Sequence, residues 1–434
     1  MTAAVPGDIP AAIDRRRRRR LGWHVVALGL AGSLVAAACG GDDSGSSASS
    51  TTAAGGATTG SAAGAATGEP FVIGWNDSQT GPNGPGYLAT GLAGVQTYVD
   101  DLNARGGVFG RPIELQVTDD RSDPPTAVTN FRQLADGKSL AVFGSSVSSI
   151  AAAQLPLAKD LKIALVAGGV PDSLTDNPDP YFFSTNLSHT GSAQVQLDFA
   201  KENLAKANIT KPKVAVFVVD TASGKEFTDY VVKQSEKMGW PVVDKQVYPY
   251  TDTDMSGQMA SIARANPDVV VSLVGSNHVP LFVTPLRQRG FKGLIVNSYA
   301  GSDEPAYQQI KDDNFMAPRS FVWPTDDVAS DMAAKAKAGG HGDELVSTYF
   351  TRGYVLGQLM EETLKLCGAD CSRETFRSSL EEVTSVDTKG LAGDVGFNGP
   401  TDHLFVSQAQ IYAWDGEANK AKSVSDWLDA VALK

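Results

Sequence analysis

The chain has 434 residues, 42% hydrophobic and 20% charged, and a formal net charge of −12 at pH 7. Such a surplus of acid argues against nucleic acid or an anionic lipid surface as the partner. Residues 70–434 are too many for one ordinary core, which predicts two lobes or domains.

The N-terminus reads as an export signal. Residues 15–20 are six consecutive arginines, residues 21–38 are mostly apolar, and Ala36, Ala37 and Ala38 precede Cys39. A positive segment, a short apolar segment and small residues at the cut are the parts of a secretory signal. The cysteine resembles the lipobox of bacterial lipoproteins, in which the thiol is acylated and the chain cut just before it, although Ala36 stands where the usual box has Leu. As a membrane-spanning anchor the stretch is broken by Gly22, His24, Gly29, Gly32 and Ser33 and falls short of the ~20 residues needed. The pair Arg19-Arg20 hints at twin-arginine export, but Leu21-Gly22-Trp23 does not fit that signal. The expectation is a signal peptide at 1–38, lipidation at Cys39, and a protein held on the outer face of the cytoplasmic membrane. The remainder then carries 31 basic and 47 acidic residues, a net −16. Residues 40–69 are almost only Gly, Ser, Ala and Thr, so 39–69 is predicted to be a flexible tether with a reach of about 30 Å.

From residue 71 strands and helices alternate. Residues 71–75 read as a buried strand. Leu88, Leu92, Val95, Val99 and Leu102 then recur on one helical face, ended by Gly106-Gly107. Residues 113–117 form the next strand. Asp123-Pro124 opens a helix with a capping residue and Pro at the first position, carrying Val128, Phe131 and Leu134 inward. Strands at 140–143 and 163–166 flank a helix over 150–161. A second run has strands at 214–219, 242–247, 269–274 and 294–296, with helices near 224–238, 255–265 and 279–289. Apolar strands alternating with helices imply parallel sheets covered on both faces. The last third departs from this order: a strand at 321–323, helices at 326–338, 343–366 and 373–383, and a strand at 405–414. A chain that builds one lobe, then a second, and returns to the first would have this order.

Cys367 and Cys371 are the two cysteines beyond Cys39. In an exported chain so close a pair predicts a disulfide at a helix terminus. A metal site would need two further ligands nearby, and His341 and His403 are distant in sequence.

Several segments together resemble one family: Thr80-Gly81-Pro82, residues 102–115 (LNARGGVFGRPIEL), Asp119-Asp120-Arg121-Ser122-Asp123-Pro124, Gly144-Ser145-Ser146-Val147-Ser148-Ser149 and Gly393-Asp394-Val395-Gly396-Phe397. They look like the branched-chain amino acid (leucine/isoleucine/valine) type of ABC transporter substrate-binding protein, over nearly all of residues 70–415. The resemblance implies an α/β fold of two Rossmann-like lobes joined by three crossovers, the type I periplasmic binding protein, closing on a small solute. The expected lobes are 70–187 plus 325–388 and 188–324 plus 389–434. The crossovers are expected near 185–189, 323–326 and 387–396.

Ligands of open parallel sheets bind beyond the carboxyl ends of strands, and Ser145, Ser146, Ser148 and Ser149 lie there, before a helix. Hydroxyls and free N–H groups at a helix start suit a ligand carboxylate. By resemblance, Ser148 matches the serine that contacts it. Gly168, Gly169 and Val170 match the second binding segment, in which family members usually have Thr at the place of Val170. Tyr87 sits near the covering aromatic. In the second lobe Ser223 stands where the family often has Tyr, Asn277 lies in a segment that usually holds an aromatic, and Tyr299 stands near the place of the acid that pairs with a ligand ammonium. Asp303 and Glu304 follow at a different spacing. A buried ammonium without a carboxylate is costly, so an amide, a urea-like solute or a small carboxylate fits these residues at least as well as an α-amino acid.

Enzyme motifs do not appear. The loop over 81–86 carries two prolines that remove donors a phosphate cradle needs. There is no Gly-x-Ser-x-Gly and no His-Glu-x-x-His, and only five histidines are present; His189 and His278 could line the cleft, but a lone histidine is more often a hydrogen-bonded surface group. The reading is a monomeric, lipid-anchored solute receptor that hands its ligand to ABC permease subunits, with no cofactor, metal or catalytic residue. A ligand sensor of the same fold that signals to a membrane partner stays open.

Overall fold

The computed structural model describes residues 64–169 and 179–430; the signal peptide, Cys39 and Val170 lie outside them. The first sheet holds β1 (Phe71–Asp77), β2 (Ile113–Asp119), β3 (Ala141–Gly144), β4 (Ala164–Ala167) and β5 (Phe182–Ser184), in the order β2-β1-β3-β4-β5. Every pairing in it is parallel. The second sheet holds β6 (Val214–Val219), β7 (Val242–Tyr248), β8 (Val269–Leu273), β9 (Leu294–Asn297), β10 (Phe315–Arg319), β11 (Gln408–Asp415), β12 (Lys420–Ser423) and β13 (Leu428–Asp429). Its β6–β10 strands pair in parallel, while β11 runs antiparallel to β10, β12 and β13. The second sheet is therefore mixed, not parallel throughout: β11 enters antiparallel to β10 after the helices over 330–382, and β12 and β13 follow it through short connections. The fold is α/β.

The patterned residues do what their spacing requires. Phe71, Ile73 and Trp75 of β1 are buried, as are Val95, Val99 and Leu102 of the Ala89–Ala104 helix. Asp123 accepts the Thr126 N–H at 3.0 Å and caps the Pro124–Asp136 helix. Late in the chain, the Thr348–Cys367 helix packs along Ala89–Ala104, and the Arg373–Glu382 helix packs on β3 and β4. The chain thus passes between the two sheets near 185–188, 320–326 and 384–407. Two of these passages are tied together: Val322 N–H donates to Leu391 O at 3.0 Å, and Phe321 bridges Ala392.

Some elements differ from expectation. The strand placed at 321–323 is β10, over Phe315–Arg319, all five residues of which are buried; Pro318 and Arg319 mask it in the sequence. The helix expected from 343 starts at Thr348, where Ser347 Oγ accepts the Tyr349 N–H at 3.2 Å. A helix over His189–Lys206 had no counterpart in the sequence reading; buried Ser192, Gln194 and Gln196 interrupt its apolar stripe. The end of the expected tether is docked, since Ala66 N–H donates to Asn103 O and Gly68 N–H to Gly110 O, each at 3.0 Å. Cys367 and Cys371 form a disulfide, Cα–Cα 5.3 Å, joining the ends of two helices. No helix among the described residues is long and apolar enough to cross a membrane.

Candidate functional site

The site grows from the carboxyl ends of β1, β3 and β4. Gly144 at the end of β3 has φ 110°, and a Cβ there would lie 2.5 Å from Asn76 O, so only glycine lets the chain turn against β1. That turn brings Ser146 over Asp77, which ends β1. Ser146 donates to the Asp77 carboxylate through N–H (3.1 Å) and Oγ–H (2.6 Å). Arg352, from the Thr348–Cys367 helix, donates through Nη1 to Ser146 Oγ (3.1 Å) and through Nη2 to Thr185 Oγ1 (2.6 Å). Thr185 Oγ1–H in turn donates to Ala167 O at 3.0 Å. A Cβ on Gly168 would lie 2.4 Å from Arg352 Nη2, so the guanidinium rests flat on the β4 end. Asp77 and Arg352 are buried, at 0% and 1% exposure. Burial raises the Asp77 carboxyl above its usual range against the opposing Ser146 bond and Arg352 charge, and burial lowers Arg352.

One turn before Arg352, Tyr349 meets Tyr87 edge-on, ring centroids 4.6 Å and phenolic oxygens 3.5 Å apart. Burial raises both phenols.

The second sheet contributes through the end of β9. Asn297 fastens the β8 end, donating to Val274 O (2.9 Å) and accepting from Ser272 Oγ and Val274 N–H. Tyr299 follows in a short 3-10 turn, Tyr299–Gly301. Asp303 comes next, buried, and accepts from Ser276 Oγ (3.3 Å), Ser347 Oγ (3.4 Å), Thr348 Oγ1 (3.3 Å) and Thr348 N–H (3.4 Å). Burial again raises this carboxyl. It reaches across to the start of the 348–367 helix, where the helix dipole favours negative charge. From the end of β10, Arg319 donates through Nε to Ser302 O (2.7 Å) and through Nη2 to Glu304 (3.3 Å). Its guanidinium lies 4.3 Å from the Tyr412 ring centroid.

Between these walls is a small cavity whose lining includes Asn186, Leu187, Tyr299, Arg319, Tyr349 and Arg352. Asn186 is oriented by its Nδ2 bond to Gly168 O at 2.9 Å. At the rim Tyr250 donates to Asn83 at 3.1 Å, a contact between the loop after β7 and the loop after β1.

The expected site residues divide. Tyr299 lines the cavity; Ser146, Gly168 and Tyr87 touch the side chains that line it. Ser148 and Gly169 meet each other beside this group, a Cβ on Gly169 falling 2.6 Å from Ser148 N. Ser145 turns the other way, its hydroxyl donating to buried Gln154 at 2.7 Å, because its φ of 45° swings the side chain inward. Ser223, half-buried in the first turn of the Ala222–Met238 helix, and exposed Asn277 stand outside the cavity wall. Sequence reasoning missed Asp77, Thr185, Asn186, Arg319, Tyr349 and Arg352. The available signal was charge inside apolar runs: arginine is almost never fully buried without a partner, and Arg352 lies in YFTRGYVLG.

His189 stacks on Tyr299, centroids 6.0 Å apart, and burial lowers its pKa to about 4. The folded value lies below the unfolded value near 6.5, so its contribution to stability is complete above pH ~6.5 and lost as pH falls toward 4. His189→Gln should therefore narrow the gap in stability between pH 7 and pH 4 relative to the unaltered protein, by about 3 kcal/mol at most. Urea unfolding at both pH values checks this, and an unchanged gap would refute it.

The chain matches the family model described as periplasmic binding protein over residues 70–421. It is 27% identical over 209 residues to Leu/Ile/Val-binding protein homolog 8 of Brucella abortus (strain 2308), covering 47% of this chain and 51% of that protein, so it spans about half the length of this relative. Its fold is similar to the isoleucine complex of the branched-chain amino acid transporter substrate-binding protein LivJ from Streptococcus pneumoniae, with TM-score 0.69, 20% identity, and 83% and 100% of the two chains covered. It is also similar to an ABC transporter solute-binding protein of R. palustris in complex with 4-hydroxybenzoate, with TM-score 0.71, 18% identity, and 84% and 98% covered. Two sheets with three passages between them, a cavity at the strand ends and a family match over most of the chain lead to one conclusion: this chain belongs to the periplasmic binding protein family.

Proposed function

We propose that this protein is the extracytoplasmic solute-binding component of an ABC importer, held to the membrane through lipidated Cys39, and that its solute is a small carboxylate delivered to permease subunits. The observation that carries the ligand class is Arg352: a fully buried guanidinium in the cavity wall whose Nε has no hydrogen-bond partner among the described residues. A buried donor left unmade costs about 1–3 kcal/mol, more when charged, and a carboxylate is the acceptor a guanidinium binds best. Asp303, the acid nearest the place of the family's ammonium partner, already accepts from three hydroxyls and one N–H. Burial favours the neutral form of both Asp77 and Asp303, which lessens their repulsion of an incoming anion. The 4-hydroxybenzoate bound by the R. palustris neighbour is of the same class; the isoleucine of the pneumococcal one carries a carboxylate as well.

Titration calorimetry with aliphatic and aromatic carboxylates, their amides and branched-chain amino acids tests the reading. Carboxylates are expected to bind, and their amides to bind far more weakly. Equal binding of acid and amide would overturn the proposal.

A further inference from the structure

A second guanidinium faces the same cavity from the opposite wall. Arg319 ends β10 of the second sheet, whereas Arg352 lies in a helix packed against the first sheet's side. Arg319 is 2% exposed. Its Nε and Nη2 are engaged by Ser302 O and Glu304, and its plane is hemmed by the rings of Tyr412, Trp323 and Tyr307 at 4.3, 5.2 and 5.4 Å. Nη1 is buried and has no hydrogen-bond partner among the described residues. Arg352 repeats the pattern, with Nη1 and Nη2 engaged and Nε left over. Each lobe thus holds one arginine by two of its nitrogens and keeps a donor in reserve. A single reserved donor needs one ligand oxygen; two, on opposing walls, need two. The rest of the lining is apolar at Leu187 and Phe321, aromatic at Tyr299 and Tyr349, and polar at Asn186, Ser302, Ser320 and Thr348.

We infer that the solute is two-ended, a carboxylate that bonds Arg352 and, across a short apolar or aromatic spacer, a second carboxylate or carbonyl oxygen that bonds Arg319. This rests on the carboxylate reading above and narrows it. A solute with both ends would tie the two lobes directly to each other, so binding and closure become one event. It also needs no ammonium partner, which agrees with Tyr299 standing where the family has an acid.

The test compares ligands that differ only at the far end: glutarate against pentanoate, and terephthalate against benzoate, by titration calorimetry on the purified protein. The two-ended member of each pair is expected to bind at least about tenfold more tightly, equivalent to ~1.4 kcal/mol. Arg319→Gln should reduce that ratio toward one. Arg352→Gln should weaken all four. Equal binding within the pairs, or a ratio that survives in Arg319→Gln, would overturn the inference and leave the carboxylate reading standing. Binding of none of the four would overturn both. If Arg319→Gln fails to fold by its ligand-free thermal transition, Arg319→Lys keeps the charge against the rings but lacks the forked donor, and the comparison within pairs in the unaltered protein still decides.

Discussion

Arg352→Gln should weaken carboxylate binding by roughly 100-fold, the equivalent of about 3 kcal/mol for a charge-assisted hydrogen bond. The substitution has a second effect that must be separated from the first. It leaves Asp77 buried without the charge that faces it through Ser146, a loss of at most the roughly 3–5 kcal/mol typical of breaking a directly bonded buried pair. Asp77 softens this loss by taking up a proton, since burial already raises its carboxyl. The double variant Asp77→Asn/Arg352→Gln should recover stability without recovering affinity. Gly168→Ala supplies an independent route: its methyl would fall 2.4 Å from Arg352 Nη2, so the guanidinium must move while its charge remains. Calorimetry should show lost binding in all three proteins, and unfolding by urea should show a large loss of stability in the single arginine variant alone. Binding that survives in Gly168→Ala and Arg352→Gln alike would remove Arg352 from the site.

A second large effect on stability is expected where two helices touch backbone to backbone. A Cβ on Gly353 would lie 2.0 Å from Gly91 O, and one on Gly94 would lie 2.0 Å from Phe350 O. No side-chain rotation relieves either contact. Gly→Ala in a helix ordinarily gains up to about 1 kcal/mol from backbone entropy and propensity. Here overpacking opposes it, at the upper end of its usual range of about 1–3 kcal/mol or beyond. Gly353→Ala should therefore destabilise, and Gly353→Val should do so severely. Gly257→Ala is the control, with nothing within 4 Å of its would-be methyl, and should be neutral or mildly stabilising. The midpoints of urea unfolding decide. A stable Gly353→Val protein would mean that the helices can separate without loss.

The frame was legible because burial imposes a period. Val95, Val99 and Leu102 had to face the core, and Asp123 before two prolines had to start a helix. β10 was misplaced because Pro318 and Arg319 end an otherwise apolar strand, and Arg319 is tolerated there by Glu304 and three aromatic rings. The first-sheet half of the site was partly legible: Ser146 and Gly168 follow strand ends and carry recognisable motifs. Arg352 was not, since its partners Ser146 and Thr185 are remote in sequence and only packing of the 348–367 helix brings it to them. Asp303 was judged by spacing alone. The 3-10 turn at Tyr299–Gly301 carries it past the place of Tyr299 to the start of that same helix, a displacement that linear distance does not reveal.

The late return of the 348–367 helix to Ala89–Ala104 has a consequence for how the molecule is made. The first sheet is complete in sequence by Ser184, yet its covering helix and the arginine of its site arrive only after the whole parallel part of the second sheet. Contacts closing so long a loop form slowly, because the chain entropy of closure must be met before they are rewarded. The β6–β10 unit, built from neighbouring segments, can assemble first as the chain emerges. The earlier-synthesised half must meanwhile wait with Trp75 and Val95 uncovered, the state in which aggregation or holding by a chaperone competes with folding.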